Sequence, residues 1–299
     1  MPKDRSAGVS LEIGGIVLAV EWKGDDGSFS IGEAHRGFLS DKQPDVTFTV
    51  ESGSYPDLAL WEKVFDSGGP WALCRQHGGW CFIIPSPAVT SRPHRVAVVD
   101  TDFRNGDIYV CAREVDQAPT LYPLAYPLEE LLFVNLLSLG RGVPFHACAV
   151  SDSGRGFIFA GSSGAGKSTM ADLWKDQEGV IILSDDRVIV REMDERFWVY
   201  GTPWHGDVKL CSPERAPLDG IFFLHHGEQN TAAPLQATRA AASLFARSFP
   251  TYWNSEGVAF SLDFLSRMGQ AVPCYDLEFV ADGSVIDYVR RTVGDAYPA

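Results

Sequence analysis

The sequence predicts an α/β domain preceded by a smaller, mainly antiparallel β domain. Short β-branched and aromatic runs separated by turn signals fill the first third. A Pro-rich stretch follows. Then comes a strand, a glycine loop and a helix, after which strand and helix patterns alternate.

In the N-terminal part, Leu11 to Trp22 contains alternating and continuous apolar residues, and Val46 to Val50 (VTFTV) alternates as a half-buried strand does. Trp80 to Ile84 is a further apolar run. Arg95 to Val99 and Ile108 to Ala112 flank Asn105-Gly106, a pair suited to a hairpin turn. No long helical period interrupts these runs, so residues 1–120 read as one β domain serving recognition or structure. Pro119, Pro123 and Pro127 favour an extended linker and place the boundary at 115–127. Pro127 suits the first position of a helix from Leu128, with apolar residues at 128, 131, 132, 136 and 139. Glu129 and Glu130 suit its first turn, and Gly140 and Gly142 end it. The second domain then runs over 128–299.

Residues 156–175 read GFIFAGSSGAGKSTMADLWK. Phe157 to Ala160 suits a buried parallel strand. Gly161, Ser162, Ser163, Gly164, Ala165, Gly166, Lys167 and Ser168 fit the phosphate-loop pattern G-x-x-x-x-G-K-[ST] in full, with Thr169 next. Met170, Ala171 and Trp174 recur at helical spacing. Glycines let consecutive backbone N–H groups converge on phosphate oxygens, and the helix start adds partial positive charge. Lys167 would reach the β- and γ-phosphates, and Ser168 would ligate Mg²⁺. A chance match of the bare pattern in such a chain is an event of about one per cent. The pattern predicts binding of a nucleoside triphosphate, ATP, with Mg²⁺.

No N-K-x-D motif of guanine specificity, L-S-G-G-Q signature or protein-kinase H-R-D and D-F-G pair accompanies the loop. Instead, the apolar run Val180 to Leu183 ends in Ser184-Asp185-Asp186-Arg187. Ligands gather at the C-terminal strand edge of an α/β sheet, which brings these acids towards the loop. One carboxylate would orient Mg²⁺ and the other take a proton from an attacking hydroxyl.

Phe145-His146-Ala147-Cys148-Ala149-Val150, GFIFAGSSGAGKST and ILSDDRVIV together resemble the catalytic core of the HPr kinase/phosphorylase family, whose phosphate-loop fold is shared with phosphoenolpyruvate carboxykinases. His146 lies 21 residues before Lys167 and Asp185 lies 17 after Ser168, intervals similar to that family's. The resemblance covers residues 142–192 well and the remainder loosely. It implies an α/β domain of the HPr kinase C-terminal type, with Asp185 as general base and His146 near the transferred phosphate. Asp186 would be a metal ligand or an acid just behind the metal. The family's metal-binding glutamate has no counterpart before Gly201, and Asp207 is the nearest substitute. Within the corresponding stretch Phe197 to Asp207, the run Gly201-Thr202-Pro203-Trp204-His205-Gly206-Asp207 suits an active-site loop.

Further on, Gly220 to Leu224 reads as a strand followed by His225-His226-Gly227-Glu228, which suits a strand-end loop better than a metal site. Thr238 to Phe249 reads as a helix carrying Arg239 and Arg247, and Arg247 is a candidate to stabilise the transferring phosphate. Val272 to Val280 suits a closing strand and Ile286 to Val293 a terminal helix.

The 299 residues carry 39 acidic and 25 basic side chains, a net charge of −14. Such a body repels nucleic acid and anionic membranes, though a local nest of N–H groups can still hold a small phosphate. Six cysteines, at 74, 81, 111, 148, 211 and 274, follow no metal or redox spacing and read as small buried hydrophobes. The N-terminus lacks the apolar core of a signal peptide, so a cytoplasmic location is expected. The acceptor expected from these features is the hydroxyl of a peptide, a protein or a small serine-like molecule, and the resemblance adds a homo-oligomer. A nucleotide-regulated binding module with slow hydrolysis and a carboxykinase-like enzyme are the alternatives.

Overall fold

The structure, a computed structural model, describes residues 8–23, 30–53, 55–76, 78–85, 93–110 and 122–296. The first seven residues, Cys111, Pro119, the end of the strand expected over 108–112 and most of the expected boundary lie outside the described residues. The chain divides into two compact units, one gathering residues up to 12 and 16–136, the other residues 13–15 and 137–299.

The first unit holds one eight-stranded sheet. Its strands are β1 (Gly8–Ile13), β2 (Ile16–Trp22), β3 (Val46–Ser52), β4 (Glu62–Asp66), β5 (Ala72–Gln76), β6 (Gly79–Pro85), β7 (Pro93–Asp100) and β8 (Asn105–Val110). They lie in the order β1-β2-β3-β8-β7-β6-β5-β4. The alternation in β3 buries Val46, Phe48 and Val50 and turns Thr47, Thr49 and Glu51 outward. The run from β8 to β4 is antiparallel, but β3 is parallel to both β2 and β8.

Asn105-Gly106 is not the hairpin turn. The turn occupies 101–104, and the Asp100 carboxylate accepts the N–H groups of Arg104 at 2.8 Å and Asn105 at 3.2 Å. Gly106 is a strand residue, and a Cβ there would lie 2.3 Å from the Val98 carbonyl oxygen. This glycine serves close strand approach.

A short α1 (Glu33–Arg36) belongs to the same unit, while the division between units falls inside α2 (Leu128–Ser138). Leu128, Leu131, Leu132 and Leu136 are buried as the periodicity requires, whereas Leu139, beyond the helix, is 40% exposed. Glu129 is buried as well. Its carboxylate meets Nε2 of His35 at 3.0 Å and accepts from the Tyr122 hydroxyl.

The second unit is layered. Its elements are β9 (Val143–Asp152), β10 (Arg155–Ala160), α3 (Lys167–Trp174), β11 (Val180–Ser184), β12 (Arg187–Met193), β13 (Arg196–Tyr200), β14 (Arg215–His226), β15 (Thr231–Pro234), α4 (Ala237–Phe245), α5 (Ser255–Ala271), β16 (Cys274–Phe279) and α6 (Ser284–Ala296). β10, β14 and β16 run parallel side by side, and β9 lies antiparallel against β10. Alternate residues of these strands face two cores. Phe145, Ala147, Ile158, Ile221 and Phe223 meet Leu244 of α4 and Phe264, Leu265 and Met268 of α5. Cys148, Phe157, Phe159, Phe222 and Leu224 meet Met170, Ala171 and Trp174 of α3 and Val289 and Val293 of α6. Near-continuous apolar strands are what a sheet covered on both faces requires.

Two helix boundaries depart from expectation. The helix read over 238–249 stops at Phe245, which leaves Arg247 in the following turn. The 17-residue α5 was not anticipated, although Asn254 caps it by accepting from Glu256 and Gly257 N–H groups at 3.1 and 3.4 Å. Among the described residues, no helix is long and apolar enough to cross a membrane.

Candidate functional site

The site forms where β10 ends. The chain leaves Ala160 through Gly161–Gly166 and enters α3, whose N-cap Gly166 has no side-chain capping bond. The N–H groups of that first turn are therefore not taken by a cap, and the helix brings partial positive charge to the same place. Gly166 adopts φ 101°, and a Cβ there would lie 2.6 Å from Cζ of Phe279. A Cβ on Gly161 would lie 2.6 Å from that of Ala165. Glycine at both positions is a steric necessity.

A cavity of about 430 Å³ opens over this loop. On the loop side it is lined by Ser163, Gly164, Gly166, Lys167, Ser168 and Thr169, and opposite by His146, Asp185, Asp186, Gly206 and Asp207. Gly161, Ser162 and Ala165 do not line it. The carbonyls of Gly161 and Ser162 instead accept from Nζ of Lys167 at 3.0 and 3.2 Å. Lys167 is mostly buried, and burial pushes its pKa below the usual lysine value; Asp186 opposes that shift and Arg247 adds to it.

The acids sit at an interruption between strands. β9 pairs with β11 along 149–152 and with β12 along 143–146, so β11 and β12 continue one another past Asp185 and Asp186. Consecutive residues at such a break address different surroundings. Asp185 is 2% exposed, and its Oδ1 and Oδ2 accept the backbone N–H groups of Gly206 at 2.8 Å and Val208 at 2.9 Å. The residue expected as general base thus has both oxygens engaged by backbone of the 206–208 segment. Asp186 is more open, with Oδ1 3.2 Å from Nδ1 of His146 and Oδ2 3.3 Å from Nε of Arg187.

The strand β13 ends at Tyr200, and the chain is irregular from Gly201, over the run expected as a loop. The fully buried Thr202 hydroxyl donates to the Arg187 carbonyl at 2.6 Å and, with Asp185, fastens the loop to the acidic corner. Gly206 gave no sequence signal beyond its place in the run. A Cβ on it would come within 3.1 Å of Cβ of Asp186 and 3.2 Å of Oδ2 of Asp185.

Arg247 does not line the cavity, but its carbonyl accepts the His146 N–H at 2.8 Å, and its charge reaches Lys167. His225 and His226 take separate partners, His225 the Asp276 carboxylate at 3.3 Å and His226 the Gly164 carbonyl at 2.8 Å. Among the described residues, no three His, Cys, Asp or Glu side chains form a metal-holding group. Ser168, Asp186 and Asp207 do share the cavity. One hydroxyl and two carboxylates fit a Mg²⁺ that arrives on a triphosphate, which needs few protein ligands, and do not make an all-protein cage.

A family model described as SynChlorMet cassette protein ScmC matches residues 130–293, more than half of the chain. Among solved structures, that of the Hpr(Ser) kinase/phosphatase from Coxiella burnetii is similar at 10% identity and a TM-score of 0.30, over 51% of this chain and 88% of that one. No curated protein matches.

Proposed function

We propose that this chain, which belongs to the SynChlorMet cassette protein ScmC family, is an ATP-dependent kinase that transfers the γ-phosphate to a hydroxyl. The acceptor is the Ser or Thr of a peptide or protein, or a small serine-like molecule. One observation carries the reading. A glycine loop at the start of a helix opens on a cavity of about 430 Å³, where Lys167 and Ser168 share the lining with His146, Asp185 and Asp186. A polyphosphate is the anion that a glycine loop at a helix start accepts.

The nearby acids support transfer over binding alone. The acceptor oxygen attacks the γ-phosphorus, the new O–P bond forms as the bond to the β-phosphate bridging oxygen breaks, and the acceptor proton passes to a carboxylate. Asp186, with its oxygen 3.2 Å from His146 and facing the cavity, is the carboxylate we assign to that proton. Lys167 and Arg247 hold the charge that gathers on the phosphoryl oxygens. Ser168 and Asp207 would hold a Mg²⁺ brought by the triphosphate, which supplies further neutralisation. The products are a phosphoester and ADP.

The test uses Mg·ATP, with calorimetric binding and single-turnover phosphate release to water as readouts. Lys167→Ala should lose binding. Asp186→Asn should keep binding and release phosphate about a thousandfold more slowly. Tight binding by the unaltered protein without any turnover would sink the kinase reading in favour of a nucleotide-regulated binding module.

A further inference from the structure

Asp185 is the most enclosed carboxylate of the site, and its bonds describe a clamp. Both oxygens accept backbone N–H groups from one loop, Gly206 at 2.8 Å and Val208 at 2.9 Å. Its own N–H donates to the Leu210 carbonyl at 3.2 Å. On either side, Thr202 holds the Arg187 carbonyl and Ser212 donates to the Leu183 carbonyl at 3.0 Å. The turn from Gly206 to Lys209 closes by its own 3.3 Å bond, with Lys209 at φ 60°. A lysine in that left-handed conformation is retained where surrounding bonds impose it.

We infer that Asp185 is a positioning residue, which fixes the 203–208 loop so that Gly206 and Asp207 form the cavity wall facing Lys167 and Ser168. This rests on the kinase reading for its purpose but not for its geometry. A carboxylate is the side chain the arrangement requires. Two N–H donors converge on it, and an amide would turn its own donor NH₂ towards one of them. The buried charge is compensated by those two bonds, a charge-assisted pairing stronger than that of neutral partners. Gly206 completes the fit, because any Cβ there would crowd both aspartates. The division of labour follows from the strand break. Of two adjacent acids, Asp185 holds the wall and Asp186 faces the reacting atoms.

Amide hydrogen exchange on the full-length protein tests the clamp, and exchange together with phosphate release from Mg·ATP in the two aspartate variants tests the division of labour. In Asp185→Asn, exchange at Gly206 and Val208 should rise about tenfold or more while β9 and β10 amides keep their protection. Phosphate release should fall through kcat with KM for Mg·ATP retained. Asp186→Asn should leave exchange unchanged while phosphate release falls about a thousandfold. Should Asp185→Asn not fold, Gly206→Ala displaces the same loop while leaving the buried carboxylate in the sequence, and faster exchange over 203–208 is again expected. Unchanged exchange at Gly206 and Val208 in Asp185→Asn, or unchanged loop exchange in Gly206→Ala, overturns the clamp. Faster exchange at Gly206 and Val208 in Asp186→Asn overturns the division of labour. Wild-type protein that neither binds nor turns over Mg·ATP would overturn the kinase reading instead, with the exchange result still deciding the clamp.

Discussion

The backbone N–H of His146 donates to the carbonyl of Arg247 at 2.8 Å, and a bridge between Phe145 and Ser248 extends the contact. This pairing fixes the turn after α4 against the start of β9. Among the described residues, the Arg247 guanidinium has no carboxylate partner, and its Nε is buried without a bond. A cation left unpaired in an acidic protein is available to a phosphate. Arg247→Met should therefore slow phosphate release by about a hundredfold or more, given what a phosphate-directed arginine contributes to such transfers. Binding of Mg·ATP should weaken less. An unchanged single-turnover rate would remove Arg247 from the site.

Lys167 gives a pH dependence with a definite sign. Burial holds its pKa below the ordinary lysine value in the free protein, and Arg247 adds to that depression. A bound triphosphate favours the charged form and raises the value, so binding takes up a proton between the two values. Affinity for Mg·ATP should be flat below the free-protein value and fall as pH rises through it. Calorimetry in buffers of different ionisation enthalpy measures the proton uptake. Affinity that stays level through the alkaline range would argue against Lys167 as the phosphate contact.

The glycine loop was legible because its demands are local. Glycine spacing, the preceding strand and the following helix lie within twenty residues, and the φ values of Gly164 and Gly166 follow from them. The different surroundings of Asp185 and Asp186 were not legible. They depend on which carboxylate meets Gly206 and Val208, more than twenty positions away, and which meets His146, forty positions back. The same limit explains Gly106. Its sequence neighbour Asn105 suggested a turn, while the actual constraint is the carbonyl of Val98 on the adjacent strand. In α2, periodicity found the buried leucines but could not foresee that Glu129 is buried on His35 and Tyr122.

The thiols should report burial directly. Cys74 and Cys81 face each other across β5 and β6, and burial pushes the Cys81 thiol up to about 12. Cys274 is likewise pushed up to about 12, and Cys148 is fully buried. Since the thiolate is the reactive form, these four should resist a disulfide reagent at pH 8 and react once the chain is unfolded. Stopped-flow labelling followed by peptide mapping checks this. Rapid native labelling of Cys81 would contradict its enclosure.

Trp174 is the largest side chain buried without exposure, and it links the glycine loop's helix to the sheet. Its ring lies 6.2 Å from Phe157 and 5.8 Å from Phe159, with the Arg290 guanidinium 5.4 Å away. Trp174→Ala would open a cavity under α3 and should cost about 3–5 kcal/mol in denaturant unfolding of the second unit. Trp174→Phe keeps most of the volume and should cost about half as much or less. The consequence for the site is specific. α3 starts at Lys167, so loosening its far end should weaken Mg·ATP binding in Trp174→Ala in step with the lost stability, while Trp174→Phe keeps affinity. Full affinity in a Trp174→Ala protein that has lost that much stability would mean that the loop holds its shape without the helix packed behind it.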